Sequence, residues 1–297
     1  MVDAKPNSLA VLFPTRDRPQ LFERSVKSAV ETVSHPDRLE INYYIDNDDP
    51  TLEQYSAVLD RLTPVLEAAG VAFQGGVGDR IGCPRSANYL ALTSKADVIV
   101  MGNDDQQYVS RGWDERLDNE VAAYPDEIFL FWFNDGIESD HWCCFPIVSR
   151  TWVDTLGYFF PGNFEHFFVD TWMMDLGCRI GRAHYLRDVD VKHLPVWAGL
   201  SPSDTELSHE WFAAKMRCYI RDMEVYDRVE RYRELDAERL RGRMRPSVHE
   251  EADGHPTGEP RTITNLESRD TPVFVHRAPK PDEREELKAF LRKGGDG

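Results

Sequence analysis

Apolar and polar residues alternate in blocks over the first part of the chain. Short apolar runs have the length of buried strands, and the segments between them repeat apolar residues every three or four positions, as the buried face of a helix does. The predicted strands are 9–13, 39–45, 71–73 and 97–101, and the predicted helices lie within 22–33, 55–66 and 84–94. This alternation of strand and helix predicts a parallel, doubly wound sheet.

The pattern changes after residue 105. We expect helices at 113–123 and 170–180 and strands at 128–133, 142–148 and 188–193, which together predict a mixed region added to the parallel sheet. Several glycines follow the third strand and lack the spacing of a phosphate-binding loop, so they are expected to form a flexible turn. These glycines are Gly75, Gly76, Gly78 and Gly82.

The C-terminal third of the chain is more highly charged. Residues 204–243 have a helical pattern with one apolar stripe, which consists of Trp211, Phe212, Met216, Tyr219, Ile220, Met223 and Tyr226. Residues 244–281 are rich in proline, glycine and charge, and residues 282–292 are compatible with a short helix. We therefore predict an α/β domain over 1–200, a helical extension over 201–243, and an extended or disordered tail over 244–297.

Composition narrows the classes of function. The chain has 297 residues and a formal net charge of −17, which argues against loose binding to nucleic acid, since that mode needs a broad basic surface. No apolar run approaches the roughly 20 residues of a membrane span, and the N-terminal residues lack the apolar region of a signal peptide. We expect a cytoplasmic protein that does not bind membranes, with its five cysteines reduced.

Acidic residues gather where the predicted strands end. One cluster covers 46–49, a second is Asn103-Asp104-Asp105, and a third consists of Glu165 and Asp170. The ends of parallel strands share one edge of a sheet, where open α/β sheets bind ligands. Carboxylates this close repel each other unless protons or a cation relieve them, and a divalent cation that bridges to a diphosphate would do so. A single acidic loop is ordinarily a solvated turn, but three at one edge favour a ligand site.

Four segments have an order and spacing that resemble a known enzyme family. They are Pro14-Thr15-Arg16-Asp17-Arg18-Pro19 after the first strand, Tyr44-Ile45-Asp46-Asn47-Asp48 after the second, Asn103-Asp104-Asp105 after the fourth, and residues 165–170 at the start of a later helix. Over about residues 9–194 the chain is similar to glycosyltransferases of the GT-A fold, close to family 2. The resemblance implies a Rossmann-like α/β fold, with a mixed, mainly parallel sheet flanked by helices and followed by the helical extension.

The resemblance also implies transfer of a sugar from a nucleoside diphosphate donor, usually a UDP-sugar, to an acceptor hydroxyl. The implied donor-binding residues are Thr15, Arg16, Arg18, Asp46, Asp48, Arg80, Arg85, Asn88, Asn103 and Asp104. Those of the first segment would border the base and the phosphates, and Asp46 or Asp48 would accept a hydrogen bond from the base. Arg80, Arg85 and Asn88 would lie beside the base, the ribose or the diphosphate.

Asn103-Asp104-Asp105 matches the Asp-x-Asp element of the family, with asparagine in the first position. The resemblance implies that Asp105 binds a Mn²⁺ or Mg²⁺ ion directly and that Asp104 contacts the ribose or the metal. His193 follows the last predicted strand, where many GT-A enzymes supply a further metal ligand. A lone histidine is more often a surface or packed residue, so this expectation depends on the family resemblance.

Transfer with inversion needs a base that takes the proton of the acceptor hydroxyl. In the family this base is an Asp or Glu at the start of a helix below the acceptor pocket. Asp170 fits best by position, and Glu165 is the alternative. Without a catalytic role, Asp170 would cap or charge the first turn of its helix. Inversion is expected only if Asp170 is the base.

The sequence leaves the acceptor and two rival functions open. The Pro-Thr-Arg-x-Arg-Pro and Glu-His-x-x-x-Asp-x-Trp segments also resemble glycosyltransferase-like proteins of tailed phages, some of which decorate hydroxymethylated pyrimidines in DNA. A glycan, a lipid-linked sugar, a small molecule or modified DNA are therefore alternative acceptors, and the acidity of the chain argues against DNA. A nucleotidyltransferase is disfavoured because 14–19 contains no glycine. A non-catalytic binder of sugar nucleotides is the other rival.

Overall fold

The computed structural model describes residues 6–195 and 209–248, with the backbone alone for 209–213. Within these ranges the strands are β1 (Leu9–Thr15), β2 (Leu39–Asp46), β3 (Ala72–Gly78), β4 (Val98–Met101), β5 (Gln106–Tyr108), β6 (Leu130–Asn134), β7 (Ile147–Ser149) and β8 (Ala183–His193). The helices are α1 (Pro19–Thr32), α2 (Leu52–Ala69), α3 (Cys83–Thr93), α4 (Trp113–Val121), α5 (Arg150–Leu156), α6 (Val169–Arg179), α7 (His209–Arg228) and α8 (Glu230–Arg241). The strands form one sheet in the order β3-β2-β1-β4-β7-β6-β8-β5.

The first half of the sheet is parallel, as the sequence predicts. Strands β3, β2, β1 and β4 run in one direction, and β1 and β4 bury nearly all their side chains because helices cover both faces. Helices α1 and α2 pack on one face through residues that include Phe22, Tyr55 and Leu62. Helix α3 packs on the other face through Ala87 and Leu90. This is the doubly wound arrangement.

The second half of the sheet is mixed and completes the edge at which the parallel strands end. Strand β7 runs antiparallel between β4 and β6, and β8 lies parallel to β6. The short strand β5, which the sequence pattern does not predict, pairs antiparallel with β8 and places Gln106 opposite His193. The carboxyl ends of β1, β2, β4, β6 and β8 therefore lie at one edge. The predicted mixed, mainly parallel α/β sheet is confirmed.

Most of the glycine-rich run after the third predicted strand forms strand rather than a flexible turn, and Gly82 lies outside it, at the start of α3. Strand β3 continues to Gly78 and pairs with β2 as far as Asp46. A Cβ at Gly75 would lie 2.1 Å from the carbonyl oxygen of Tyr43, and a Cβ at Gly78 would lie 2.4 Å from the hydroxyl of Tyr44. Glycine is needed here because the neighbouring strand approaches closely. The prediction of a turn was wrong because it considered local sequence only.

The mixed region also differs from the prediction in several places, and β8 begins at Ala183 rather than at residue 188. Residues 142–146 lie outside the strand expected there, which is restricted to β7. Helix α5 follows β7 directly and was not predicted, because its 7 residues are too few to show a helical period. The helix begins at Ser149, whose hydroxyl accepts a hydrogen bond from the N–H of Trp152 at 2.9 Å, as an N-cap serine does.

The C-terminal helices share a hydrophobic core with one face of the sheet. Met216, Tyr219 and Met223 of α7 and Ala237 and Leu240 of α8 are buried together with residues of α3, α5 and α6. Part of the predicted apolar stripe therefore packs inward. The single helical stretch that the sequence predicts is divided, because α7 ends at Arg228 and α8 begins at Glu230.

Some predictions lie outside the described residues. These are the start of the predicted extension at 201–208 and most of the predicted tail, at 249–297, including the segment compatible with a short helix. The side chains of Trp211 and Phe212 in the predicted stripe are also outside the description. Among the helices of 6–195 and 209–248, none is both long and apolar enough to cross a membrane.

Gly102, which precedes the acidic residues after β4, should be sensitive to substitution. Its N–H donates to the carbonyl of Leu12 at 2.9 Å, and a Cβ there would lie 2.8 Å from Cγ1 of Val11. Gly102→Ala should push β4 away from β1 and lower the free energy of unfolding by about 1–3 kcal/mol in urea titrations. Gly76→Ala is the matched control, because its Cβ would meet no atom within 4 Å. Equal losses in both variants would contradict this account of the packing.

Candidate active site

The loop after β4 is held in shape by its own hydrogen bonds. The side-chain oxygen of Asn103 accepts from the N–H of Asp104 at 2.9 Å, and Oε1 of Gln106 accepts from the N–H of Asn103 at 2.8 Å. Ser25 of α1 donates its hydroxyl to the carbonyl of Asn103 at 2.9 Å. The loop thereby presents Asp104 and Asp105 next to each other, each only 4% exposed.

Arg18 bridges this buried pair of carboxylates and offsets one of their two negative charges. Its Nη1 lies 3.0 Å from Oδ1 of Asp104 and 3.2 Å from Oδ2 of Asp105, and Thr15 donates to the other oxygen of Asp104 at 3.0 Å. Burial raises the pKa of Asp104 even with Arg18 beside it. Burial also acts on Asp105, but His193 and Arg18 outweigh it and hold the pKa of Asp105 below its usual value. Asp105 is therefore the more readily ionised of the two.

The pairing of β5 with β8 brings His193 to Asp105. The N–H of Leu194 donates to the carbonyl of Asp105 at 2.8 Å, and the N–H of His193 donates to the carbonyl of Asp135 at 2.9 Å. The imidazole Nε2 lies 3.5 Å from Oδ1 of Asp105, which is long for a hydrogen bond. Asp105 and His193, which the sequence resemblance implies as metal ligands, are thus neighbours, although they are far apart along the chain.

The chemistry of Asp105 and His193 fits a divalent cation. Oδ1 of Asp105 is buried and has no hydrogen-bond partner among the described residues. A carboxylate oxygen and an imidazole nitrogen suit Mn²⁺, and Mg²⁺ needs few protein ligands because it keeps water molecules and binds substrate phosphates. Within 6–195 and 209–248, no three His, Cys, Asp or Glu side chains form a complete metal cluster. A cation here would therefore need further ligands from a substrate or from water.

A second acidic group lies at the ends of β1 and β2 and is held by Arg16. Nη1 of Arg16 lies 3.1 Å from Oδ2 of Asp46 and also bonds to Asp48. Arg80, in the loop between β3 and α3, lies 3.9 Å from Asp48. Burial raises the pKa of Asp46 despite its bond to Arg16. The structure thus brings four of the predicted donor residues into one network.

The two predicted donor residues on α3 have different surroundings. The side-chain oxygen of Asn88 accepts from the N–H groups of Phe159 and Phe160 at 2.9 and 2.7 Å, and its NH₂ donates to the carbonyl of Phe160 at 2.7 Å. Asn88 therefore holds the loop after α5, which differs from the expected contact with the donor. Arg85 is exposed about one turn earlier on the helix.

Asp170 lies half-buried in the first turn of α6, where a tryptophan orients it. The indole N–H of Trp142 donates to Oδ2 of Asp170 at 3.2 Å, and Oδ1 accepts from the N–H of Thr171 at 2.8 Å. Glu165, the alternative base, is exposed and forms an ion pair with Arg221 of α7. The environment therefore fixes the carboxylate of Asp170, whereas that of Glu165 is at the surface.

Cys83, at the start of α3, lies where the acidic segments converge. Desolvation, together with the charges of Asp104, Asp170 and Asp46, raises the pKa of Cys83 to about 12, against the opposing charge of Lys215. One carboxylate from each of the three acidic clusters thus acts on this thiol.

Lys215 of α7 is a cation near the site that the sequence pattern does not reveal. Its Nζ lies 3.1 Å from Nε2 of His166 and 5.7 Å from the centre of the Phe167 ring. Burial lowers the pKa of Lys215, and the charges of Arg18 and Arg80 act in the same direction. The sequence of a charged helix does not show which of its lysines faces the site. The packing of α7 is therefore needed to identify Lys215.

Solved structures define the class of fold. The chain has the GT-A fold of glycosyltransferases, as the resemblance in its sequence implies. No protein-family profile and no curated protein sequence matches the chain. The fold is therefore recognised through three-dimensional similarity.

One similar structure is the mannosyltransferase PcManGT from Pyrobaculum calidifontis in complex with GDP-Man and Mn²⁺. It has a TM-score of 0.54 and 15% sequence identity, and the match covers 85% of this chain and 82% of that protein. Another is GalNAc-T7 with UDP, GalNAc and Mn²⁺, with a TM-score of 0.52 and 12% identity over 64% of this chain. The match covers 44% of the GalNAc-T7 chain. At these identities the similarity concerns the fold.

Proposed function

We propose that this protein is a metal-dependent glycosyltransferase that moves a sugar from a nucleoside diphosphate donor to an acceptor hydroxyl. The observation that carries the proposal is the buried pair Asp104 and Asp105, beside Arg18 and His193, at the ligand-binding edge of a GT-A sheet. The mannosyltransferase structure is a complex with GDP-Man and Mn²⁺, and the GalNAc-T7 structure is a complex with UDP, GalNAc and Mn²⁺. These similar proteins support the same class of reaction here.

The diphosphate of the donor would bind beside the paired acids. Asp105 and His193 would hold a Mn²⁺ or Mg²⁺ ion, and Asp104 would contact the metal or the ribose. When bound, this ion would stabilise the negative charge of the departing diphosphate. The guanidinium of Arg18, which bonds to both acids, has the donors to bind phosphate oxygens at the same place.

The base of the nucleotide would lie at the ends of β1 and β2. Asp46 and Asp48 share the guanidinium of Arg16, which keeps both carboxylates in fixed positions. Either carboxylate can accept a hydrogen bond from the N3–H of uracil. We therefore propose a UDP-sugar donor, with Thr15 and Arg80 completing the border of this subsite.

Asp170 would take the proton of the acceptor hydroxyl. As the oxygen of the acceptor forms its bond to C1 of the sugar, the bond between C1 and the diphosphate oxygen breaks, and the proton passes to the carboxylate. The indole of Trp142 fixes Oδ2 of Asp170, which keeps the base oriented. A direct displacement of this kind inverts the configuration at C1. Glu165 is less suited, because it is exposed and paired with Arg221.

The acceptor that we propose is a hydroxyl of a glycan or a small molecule. The net charge of −17 opposes binding of a polyanion such as DNA. The basic stretch at 239–245 gives little support for DNA, because Arg239 pairs with Asp236 at 2.9 Å and Arg241 donates to the carbonyl of Arg179 at 2.6 Å. Arg239 is thus paired within α8, and Arg241 contacts the end of α6.

Donor and metal binding can be tested by thermal denaturation with UDP, GDP, UDP-glucose or GDP-mannose in Mn²⁺ or EDTA. We expect a uridine nucleotide with Mn²⁺ to raise Tm, because a ligand at 100 times its Kd stabilises the native state by about 2.7 kcal/mol. Asp105→Ala should remove the part of the Tm increase that depends on Mn²⁺. Asp60→Ala, at an exposed position of α2, is the control and should keep it. A shift that depends on Mn²⁺ and survives in Asp105→Ala would contradict the metal site.

The role of Asp170 can be tested separately. Asp170→Asn keeps the size of the side chain but cannot take a proton, so we expect UDP release with the best acceptor of a glycan and alcohol panel to fall by about 100-fold or more. The Kd of UDP should stay within about twofold of the wild-type value, because the base does not take part in binding of the nucleotide. Glu165→Gln is the matched control and should keep most of the activity. If Glu165→Gln lost activity and Asp170→Asn did not, Glu165 would be the base instead of Asp170.

A further inference from the structure

A buried carboxylate of α7 binds the backbone of the segment that precedes α6. Asp222 is fully buried, and its oxygens accept hydrogen bonds from the N–H groups of Glu165 at 3.0 Å, His166 at 2.9 Å and Phe167 at 2.9 Å. Three consecutive N–H groups therefore converge on one side chain from a distant part of the sequence. Bonds of this type, from N–H to a carboxylate, are stronger than those between neutral groups.

The segment held by Asp222 has an unusual backbone conformation directly before the proposed base. Phe168 has a φ of 65°, in the left-handed region that a bulky residue adopts only when its surroundings impose it. Its ring is buried and packs on two tyrosines of α7, with centroid distances of 5.1 Å to Tyr219 and 5.5 Å to Tyr226. Helix α6 begins at the next residue, and Asp170 is in its first turn. The contacts to α7 thus determine where this turn starts.

Helix α8 restrains the same turn from another direction. The indole N–H of Trp172, two residues after Asp170, donates to the hydroxyl of Tyr158 at 3.0 Å. The hydroxyl of Tyr158 in turn bonds to the carboxylate of Asp236 on α8. Both C-terminal helices therefore contact the segment that carries the proposed base, one through its backbone and the other through a tryptophan of α6.

We propose that Asp222 is a positioning residue for sugar transfer: it holds the backbone of 165–167 and so fixes the first turn of α6, in which Asp170 meets Trp142. The inference rests on the proposed function, in which Asp170 is the base. It makes the C-terminal helical extension part of the catalytic apparatus. The extension thereby acts on the acceptor side of the reaction, while the donor site is built by the ends of the strands.

The test compares Asp222→Asn with Asp227→Asn. The first keeps the size of the side chain but leaves one acceptor oxygen and turns an NH₂ toward N–H donors. The second makes the same chemical change at an exposed position of the same helix. Leu66→Ala, in the buried core beneath α2, is a third variant that lowers stability at a distance from the segment at 165–168 and from both C-terminal helices.

Two readouts are needed. In hydrogen exchange followed by mass spectrometry, peptides that cover 165–172 should exchange about tenfold faster or more in Asp222→Asn, because their N–H groups lose acceptors. In kinetics with UDP-glucose and GDP-mannose in Mn²⁺, kcat for nucleotide release should fall by about tenfold or more, with the donor KM within about twofold, because misplacement of a base affects chemistry more than binding. Asp227→Asn should match the wild type in both, and Leu66→Ala should keep its kcat at a temperature where it is folded.

The outcomes separate this inference from the proposed function. Unchanged exchange at 165–172 in Asp222→Asn would overturn the inference while leaving the function in place. Faster exchange with an unchanged kcat would show that Asp222 stabilises the segment without positioning the base, which also overturns it. If Leu66→Ala lost kcat to the same degree, general destabilisation would explain the result instead. If the wild-type protein released no nucleotide from any of the donors with any acceptor, the proposed function itself would be overturned.

Discussion

The arrangement of the site depends on how two adjacent buried carboxylates are kept compatible. Two like charges about 4 Å apart repel each other by about 4 kcal/mol at an effective dielectric constant near 20, and burial makes ionisation of either group harder. In this chain Arg18 bonds to both Asp104 and Asp105 and supplies the compensating charge. A site that needs a cation to relieve its own acids is suited to a substrate that arrives with a divalent metal and a diphosphate.

The topology of the sheet supplies the remaining groups around this pair. The parallel strands end at one edge, so Arg16 and Arg18 after β1 and the acids after β2 and β4 come together without long loops. The antiparallel pairing of β5 with β8 then places His193 beside Asp105. Asp222 of α7 binds the segment before α6, and Asp236 of α8 reaches Trp172 of α6 through Tyr158. Strand ends thus build the proposed donor site, and helices build the proposed acceptor side.

The sequence predicts the fold and the donor side better than the acceptor side, for a physical reason. Strand ends are local features, and the topology of a parallel sheet determines where they meet, so the grouping of the acids after β2 and β4 could be expected. The proximity of His193 to Asp105 depends on the unpredicted strand β5 and was expected from the family resemblance alone. The turn predicted at Gly75 to Gly78 was wrong because Tyr43 and Tyr44 of the neighbouring strand determine that glycine is needed. The partners of Asn88 could not be predicted for a similar reason, because they are backbone groups after α5. The position of Asp222 depends on the packing of α7, and the helical period does not show which polar residue will meet a backbone segment.

The central claim is that the edge of the sheet at Asp105 and His193 binds a metal together with the diphosphate of a nucleotide. The most direct measurement is a crystal structure with UDP and Mn²⁺, with anomalous diffraction recorded near the manganese absorption edge. We expect one anomalous peak within about 2.3 Å of an oxygen of Asp105 and of Nε2 of His193, and in contact with the diphosphate. A nucleotide bound with no manganese peak at this edge, or a peak held by other residues, would contradict the account.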